Sequence, residues 1–145
     1  MEKDIVMELN DVTLLLFKHA SSRYKKMNID ITPMQARILM AIHNSKDVIC
    51  QKYIENYVAC NKSTISNVLD TMEKNGLIKR IDNEDDLRRK NIVLTEKSEL
   101  ILKQLKKAKE KLMNEVTEGI TDKEMKILDD VLEKIKYNLE RCKND

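Results

Sequence analysis

Glycine and proline occur at only three places in 145 residues, Pro33, Gly76 and Gly119. Sandwiches and barrels need such residues at turn after turn, so a chain this poor in them has room for long helices instead. Apolar residues make up 41% and charged residues 36% of the chain, the balance expected when each helix buries one stripe and exposes a long polar face. The length suits one domain with a proper core. The expected fold class is mainly α, and the sequence places one small β-hairpin within it.

The helices mark their own boundaries. Over about residues 4–27, Ile5, Leu9, Val12, Leu16, Ala20, Tyr24 and Met27 recur every three or four positions as one apolar stripe. In "DITPMQARILMAIHN", Thr32 can cap a second helix, Pro33 suits its first position and Gln35 completes a capping box; Ile38, Leu39 and Ile42 form its core face. A short third helix fits residues 50–59, with Cys50 where a capping Ser or Thr would be expected. Asn61 then caps a fourth, in which Ile65, Val68, Leu69 and Met72 are the buried face and Gly76 the left-handed stop.

Two helices of this length joined by a tight turn outline a helix-turn-helix. The period then changes. "LIKRI" (77–81) and "NIVLT" (91–95) are β-prone runs flanking the polar segment 82–90, which reads as a hairpin with a long tip. A helix from Thr95 or Glu96 to about Glu118 follows, with Ile101, Leu105, Ala108, Leu112 and Val116 on one face. After Gly119, "TDKE" is a second capping box, and Met125, Leu128, Leu132, Ile135, Leu139 and Cys142 make a heptad seam in the last helix. That seam is too short for a free coiled coil, so it calls for a partner chain or the first helix.

A helix-turn-helix followed at once by a hairpin is a winged helix, whose fourth helix would enter a DNA major groove while the wing reaches the backbone or minor groove. The outward side of that helix's start presents Lys62, Ser63, Thr64, Ser66 and Asn67, short hydrogen-bonding groups suited to base edges and phosphates. Taken alone, "NKST" reads more readily as a helix cap and nothing more. The wing favours the first reading. In "DDLRRKN", Asp86 and Arg88 are two apart, so both point to one side of a hairpin and the carboxylate can hold the guanidinium as a bidentate pair. On this reading Asp86 aims Arg88 at a narrow groove, and Arg89 and Lys90 add phosphate contacts.

The net charge of +2, from 27 basic and 25 acidic residues, requires any basic footprint to be local. "ITPMQARIL", "NKSTISNVLDTMEKNGLIKR" and "DDLRRKNIVLT" together resemble the MarR (multiple antibiotic resistance regulator) family of bacterial winged-helix transcription factors, over about residues 30–97. The most specific part is Asp86-x-Arg88 with Leu94 and Thr95 at the sixth and seventh positions after the arginine. The chain departs from the family pattern at Ser98, where a glycine is frequent, at Glu55, where a small residue is, and in its acidic wing tip. The resemblance implies a homodimer built from interlocking terminal helices (residues 1–30 and 96–145) around winged domains (31–95). It implies a repressor bound to double-stranded DNA at a pseudo-palindromic operator, and release by a small-molecule effector or an oxidant.

For such an effector, His19, Arg23, Tyr24 and His43 are the candidate lining, although Tyr24 could instead be core and Arg23 a surface charge. For an oxidant the candidates are Cys50 and Cys60, each beside a predicted helix start and near Lys52 or Lys62. The three cysteines have no C-x-x-C spacing and the two histidines no ligand partners, so neither a metal nor another cofactor is expected. Without a Gly-rich phosphate loop, a nucleophile elbow or a paired acid and base, no enzymatic activity is expected. No apolar run approaches the ~20 residues that a membrane helix needs, and the acidic start "MEKDIVMELND" is unlike a signal peptide, so the expected location is the cytoplasm. The rival reading is a winged-helix protein-interaction module whose acidic wing docks a basic partner.

Overall fold

The computed structural model describes residues 2–142. Its elements run α1 (Ile5–Lys26), α2 (Pro33–Asn44), β1 (Ile49–Cys50), α3 (Gln51–Tyr57), α4 (Lys62–Lys74), β2 (Ile78–Asp82), β3 (Lys90–Leu94), α5 (Glu96–Val116) and α6 (Asp122–Cys142). The fold is mainly α with a small antiparallel sheet. The chain divides into two compact units between Glu110 and Lys111, inside α5.

In the first unit, the expected caps form. The Thr32 hydroxyl accepts from the Gln35 N–H at 3.1 Å while the Gln35 side chain accepts from the Thr32 N–H at 3.0 Å. Asn61 Oδ1 accepts from the Thr64 N–H at 2.8 Å, satisfying an otherwise orphaned donor at the start of α4. Cys50 precedes α3 without a side-chain cap bond. Ile38 and Leu39 of α2, Ile54 of α3, and Ile65, Leu69 and Met72 of α4 are fully buried with Ile78, and Leu105 of α5 packs into the same core. Each such side chain contributes about 1.5–3 kcal/mol through burial, which fixes α4 against α2 and α3. Arg37 of α2 also lies over the Tyr57 ring of α3, 5.5 Å from its centre.

The sheet differs from the expected hairpin. It has three strands in the order β1-β3-β2, because Ile49 pairs with Ile92 and Cys50 with Asn91. The two longer strands lie one residue off the expected bounds, with Ile78 opposite Leu94, Arg80 opposite Ile92 and Asp82 opposite Lys90. A two-residue strand has too few side chains for alternation to be read.

At the end of α4, Gly76 adopts φ +74° and reverses the chain into β2. Thr95 joins that turn to α5. Its hydroxyl donates to the Gly76 carbonyl at 2.7 Å, and its N–H donates to Ser98 Oγ at 2.8 Å. Ser98 is thus fully buried yet hydrogen-bonded, which explains how a hydroxyl is accommodated there.

The second unit contains Gly119 at φ +77° and the Thr121–Glu124 capping box ahead of α6. No residue of α6 is buried among those described, and Leu128, Leu132 and Leu139 of the heptad seam are exposed. The stripe on α1 is likewise uncovered along most of its length: Ile5, Val12 and Leu16 are exposed and only Ala20 is buried.

Candidate nucleic-acid interface

Burying Ile65, Leu69 and Met72 turns the opposite side of α4 outward, and Lys62, Ser63, Thr64 and Asn67 are exposed there, with Ser66 half-buried. Ser63 is partly committed to the cap, its hydroxyl donating to Asn61 Oδ1 at 3.0 Å. Lys62 faces the wing.

The wing tip is an ordered turn. Asn83 Oδ1 accepts from the N–H groups of Asp85 and Asp86 at 2.9 and 3.1 Å, and Asn83 Nδ2 donates to Asn91 Oδ1 at 3.0 Å. The expected Asp86–Arg88 pair forms, but not as a bidentate fork. Asp86 Oδ1 accepts from the Arg88 backbone N–H at 3.0 Å and more weakly from Nε at 3.4 Å. The carboxylate therefore fixes the turn and the root of the side chain, and the rest of the Arg88 side chain, 92% exposed, projects from the tip. Lys90 is not a loose cation either: its Nζ pairs with Asp82 across the foot of the wing.

Between α3, the start of α4 and the wing lies an open cleft of about 600 Å³, lined by Cys50, Gln51, Lys52, Glu55, Lys62, Arg80, Arg88, Arg89, Lys90 and Ile92. Six of these are cations and only Glu55 is an acid. Among the described residues Lys52, Lys62 and Arg89 form no ion pair, so the cleft concentrates positive potential in a chain that is nearly neutral overall. A polyanion is the chemistry that such a surface attracts. Cys50 lies in this cleft, half-buried at the head of α3, whereas Cys60 lies outside the cleft lining, its Sγ 3.5 Å from the Val58 carbonyl.

Arg80 is the residue that sequence reasoning missed. Its Nη1 lies 2.7 Å from Asp70 Oδ1 and 3.9 Å from Glu73 Oε1, joining β2 to α4. Asp70 and Glu73 sit three apart on one helix face, which was visible, but their partner is remote in the pairing and no local spacing marks it.

The candidate effector residues lie on α1 and α2. Tyr24 packs against the core cluster, and burial pushes its hydroxyl above the usual 10.0. Arg23 is half-buried, while His19 and His43 are exposed. Among the described residues no three His, Cys, Asp or Glu side chains are grouped to hold a metal ion, and no helix is long and apolar enough to cross a membrane.

Residues 31–90 match the model of the MarR family. An uncharacterized HTH-type transcriptional regulator of Bacillus subtilis, YybA, is 22% identical over 95% of this chain and 90% of its own length. Among solved structures, an uncharacterized SlyA-like transcription regulator from Listeria monocytogenes superposes with a TM-score of 0.83 at 25% identity, covering 95% of this chain and 90% of the other. The S. aureus MepR–DNA complex shares the fold with a TM-score of 0.85 at 21% identity, over 94% of this chain and 99% of that one.

Proposed function

We propose that the chain is a winged-helix transcriptional regulator of the MarR family, whose model matches residues 31–90, and that it binds a pseudo-palindromic operator in double-stranded DNA as a homodimer and represses transcription in the bacterial cytoplasm. The cationic cleft between α4 and the wing carries this reading. A phosphate strand running along it neutralises Lys52, Lys62 and Arg89, which places the start of α4 in the major groove. Ser63, Thr64, Ser66 and Asn67 then meet base edges, and Arg88 reaches the adjacent minor groove from a turn fixed by Asp86. Lys90, already paired with Asp82, adds less than Arg89. The solved complex of MepR with DNA supports the same use of this fold.

The exposed apolar stripes of α1 and α6 supply the surface for a second copy, since stripes of this length are poorly tolerated by a free monomer. In the dimer two copies of α4 address successive turns of one DNA face. Release follows from a small ligand seated among His19, Arg23, Tyr24 and His43, with Tyr24 kept protonated as a donor, or from oxidation at Cys50 or Cys60.

Titrating a labelled random-sequence duplex against the protein at two salt concentrations tests the DNA reading. Affinity should fall by about a thousandfold between roughly 50 and 200 mM salt, because each neutralised phosphate releases counterions. Weak binding that ignores salt would favour a wing that docks protein instead.

A further inference from the structure

We infer that Arg80 is a positioning residue that fixes the angle between the wing and α4, and thereby sets how well the protein discriminates among base sequences. The inference rests on the DNA-binding reading above.

Arg80 stands at the middle of β2, opposite Ile92. By strand alternation it shares a face with buried Ile78, which turns it toward α4. Three contacts converge there. Nη1 meets Asp70 Oδ1 at 2.7 Å and Glu73 Oε1 at 3.9 Å, and the Arg80 backbone N–H donates to Glu73 Oε2 at 3.1 Å. Because β2 is an edge strand, that N–H has no strand partner, and Glu73 satisfies it. The helix thus grips both the side chain and the backbone of one strand residue.

Two carboxylates on the helix that approaches a polyanion need an explanation. They repel phosphate, and their side chains are 60% and 43% exposed, so the ion pairs add little to global stability. Geometry gives them a use. The strand continues from Arg80 toward the tip at about 3.3 Å per residue, so a small rotation of β2 on α4 becomes a displacement of Arg88 relative to the base-reading side chains. A clamp at Arg80 suppresses that rotation. Through Nη1 the guanidinium, 21% exposed, hydrogen-bonds Asp70 and stands within ion-pair distance of Glu73, on a stiffer head than a lysine ammonium provides.

The test separates positioning from simple charge. The Asp70→Asn/Glu73→Gln variant keeps side-chain shape while removing two negative charges, so charge alone predicts tighter binding to every duplex. Positioning predicts that the ratio of affinity for a duplex selected by the wild type to affinity for a random duplex falls about tenfold, while random-duplex affinity holds or rises. Arg80→Lys, which keeps the charge, should lower the same ratio without changing the salt slope. Circular dichroism and thermal melts confirm that both variants are folded. An unchanged ratio in both overturns the inference. If the wild type enriches no duplex and binds without salt dependence, the DNA-binding reading falls, and this inference with it.

Discussion

Arg88 carries a charge far from the core on a turn that is otherwise tied down by neutral and acidic side chains. Its exposure means that Arg88→Ala removes no packing, so thermal stability should stay within about 0.5 kcal/mol of wild type. Operator binding should weaken by roughly 1–3 kcal/mol, with the salt slope falling by about one phosphate, as measured by fluorescence anisotropy. Unchanged affinity would make the projecting guanidinium a solvated charge. Asp86 and Arg88 were legible in the sequence because the two-residue spacing in a hairpin is a local rule. The single-pronged form of their contact was not, since it depends on where Asn83 places the backbone of the turn. Arg80 was illegible for a stronger reason: its partners on α4 are set by the docking of strand on helix, which no spacing encodes.

The junctions between elements are held by backbone chemistry that two substitutions can probe in opposite senses. Ala59, in the turn between α3 and α4, adopts φ +52°, a region costly for a side chain, while Gly76 occupies φ +74° at no such cost. Ala59→Gly should therefore stabilise the protein by up to about 1 kcal/mol, and Gly76→Ala should destabilise it by about 1–2 kcal/mol. A Cβ at Gly76 would meet only Lys97 Cδ at 4.0 Å, so the loss is strain rather than collision. Thermal melts of the two variants check the pair of signs.

At α6, hydrogen bonds from the backbone and then the hydroxyl of Thr121 hold the Glu124 carboxyl below its usual 4.5. A depressed value means that the cap's contribution is complete above pH 4.5 and is lost as pH falls through the lower folded value. Amide protection factors in the first turn of α6, which divide out the intrinsic pH dependence of exchange, should fall in that acid window, and Glu124→Gln should abolish that change. The caps at Thr32, Asn61 and Thr121 were all readable because capping is a matter of three-residue spacing. Strand β1 was not, since only its pairing with β3 makes it a strand.

At the level of the whole molecule, the chain leaves apolar stripes uncovered on α1 and on α6 while it concentrates cations beside α4. Both features make sense if a second copy covers the stripes and DNA covers the cations. The stripes were legible as periodic patterns, but what covers a stripe is set by packing, which periodicity does not encode; within its own unit most of the α1 stripe is exposed. The cleft was half legible: Lys62, Arg88, Arg89 and Lys90 stand in two recognisable segments, whereas Lys52 joins them only through the packing of α3. The most direct test is selection of bound duplexes from a random library at physiological salt, with wild type and a Leu128→Glu/Leu132→Glu variant in parallel. The account predicts that wild type enriches a pseudo-palindrome with half-sites about one helical turn apart, and that the variant elutes as a monomer and loses that enrichment. Enrichment of a lone, asymmetric half-site by both proteins, or of nothing by either, would contradict it.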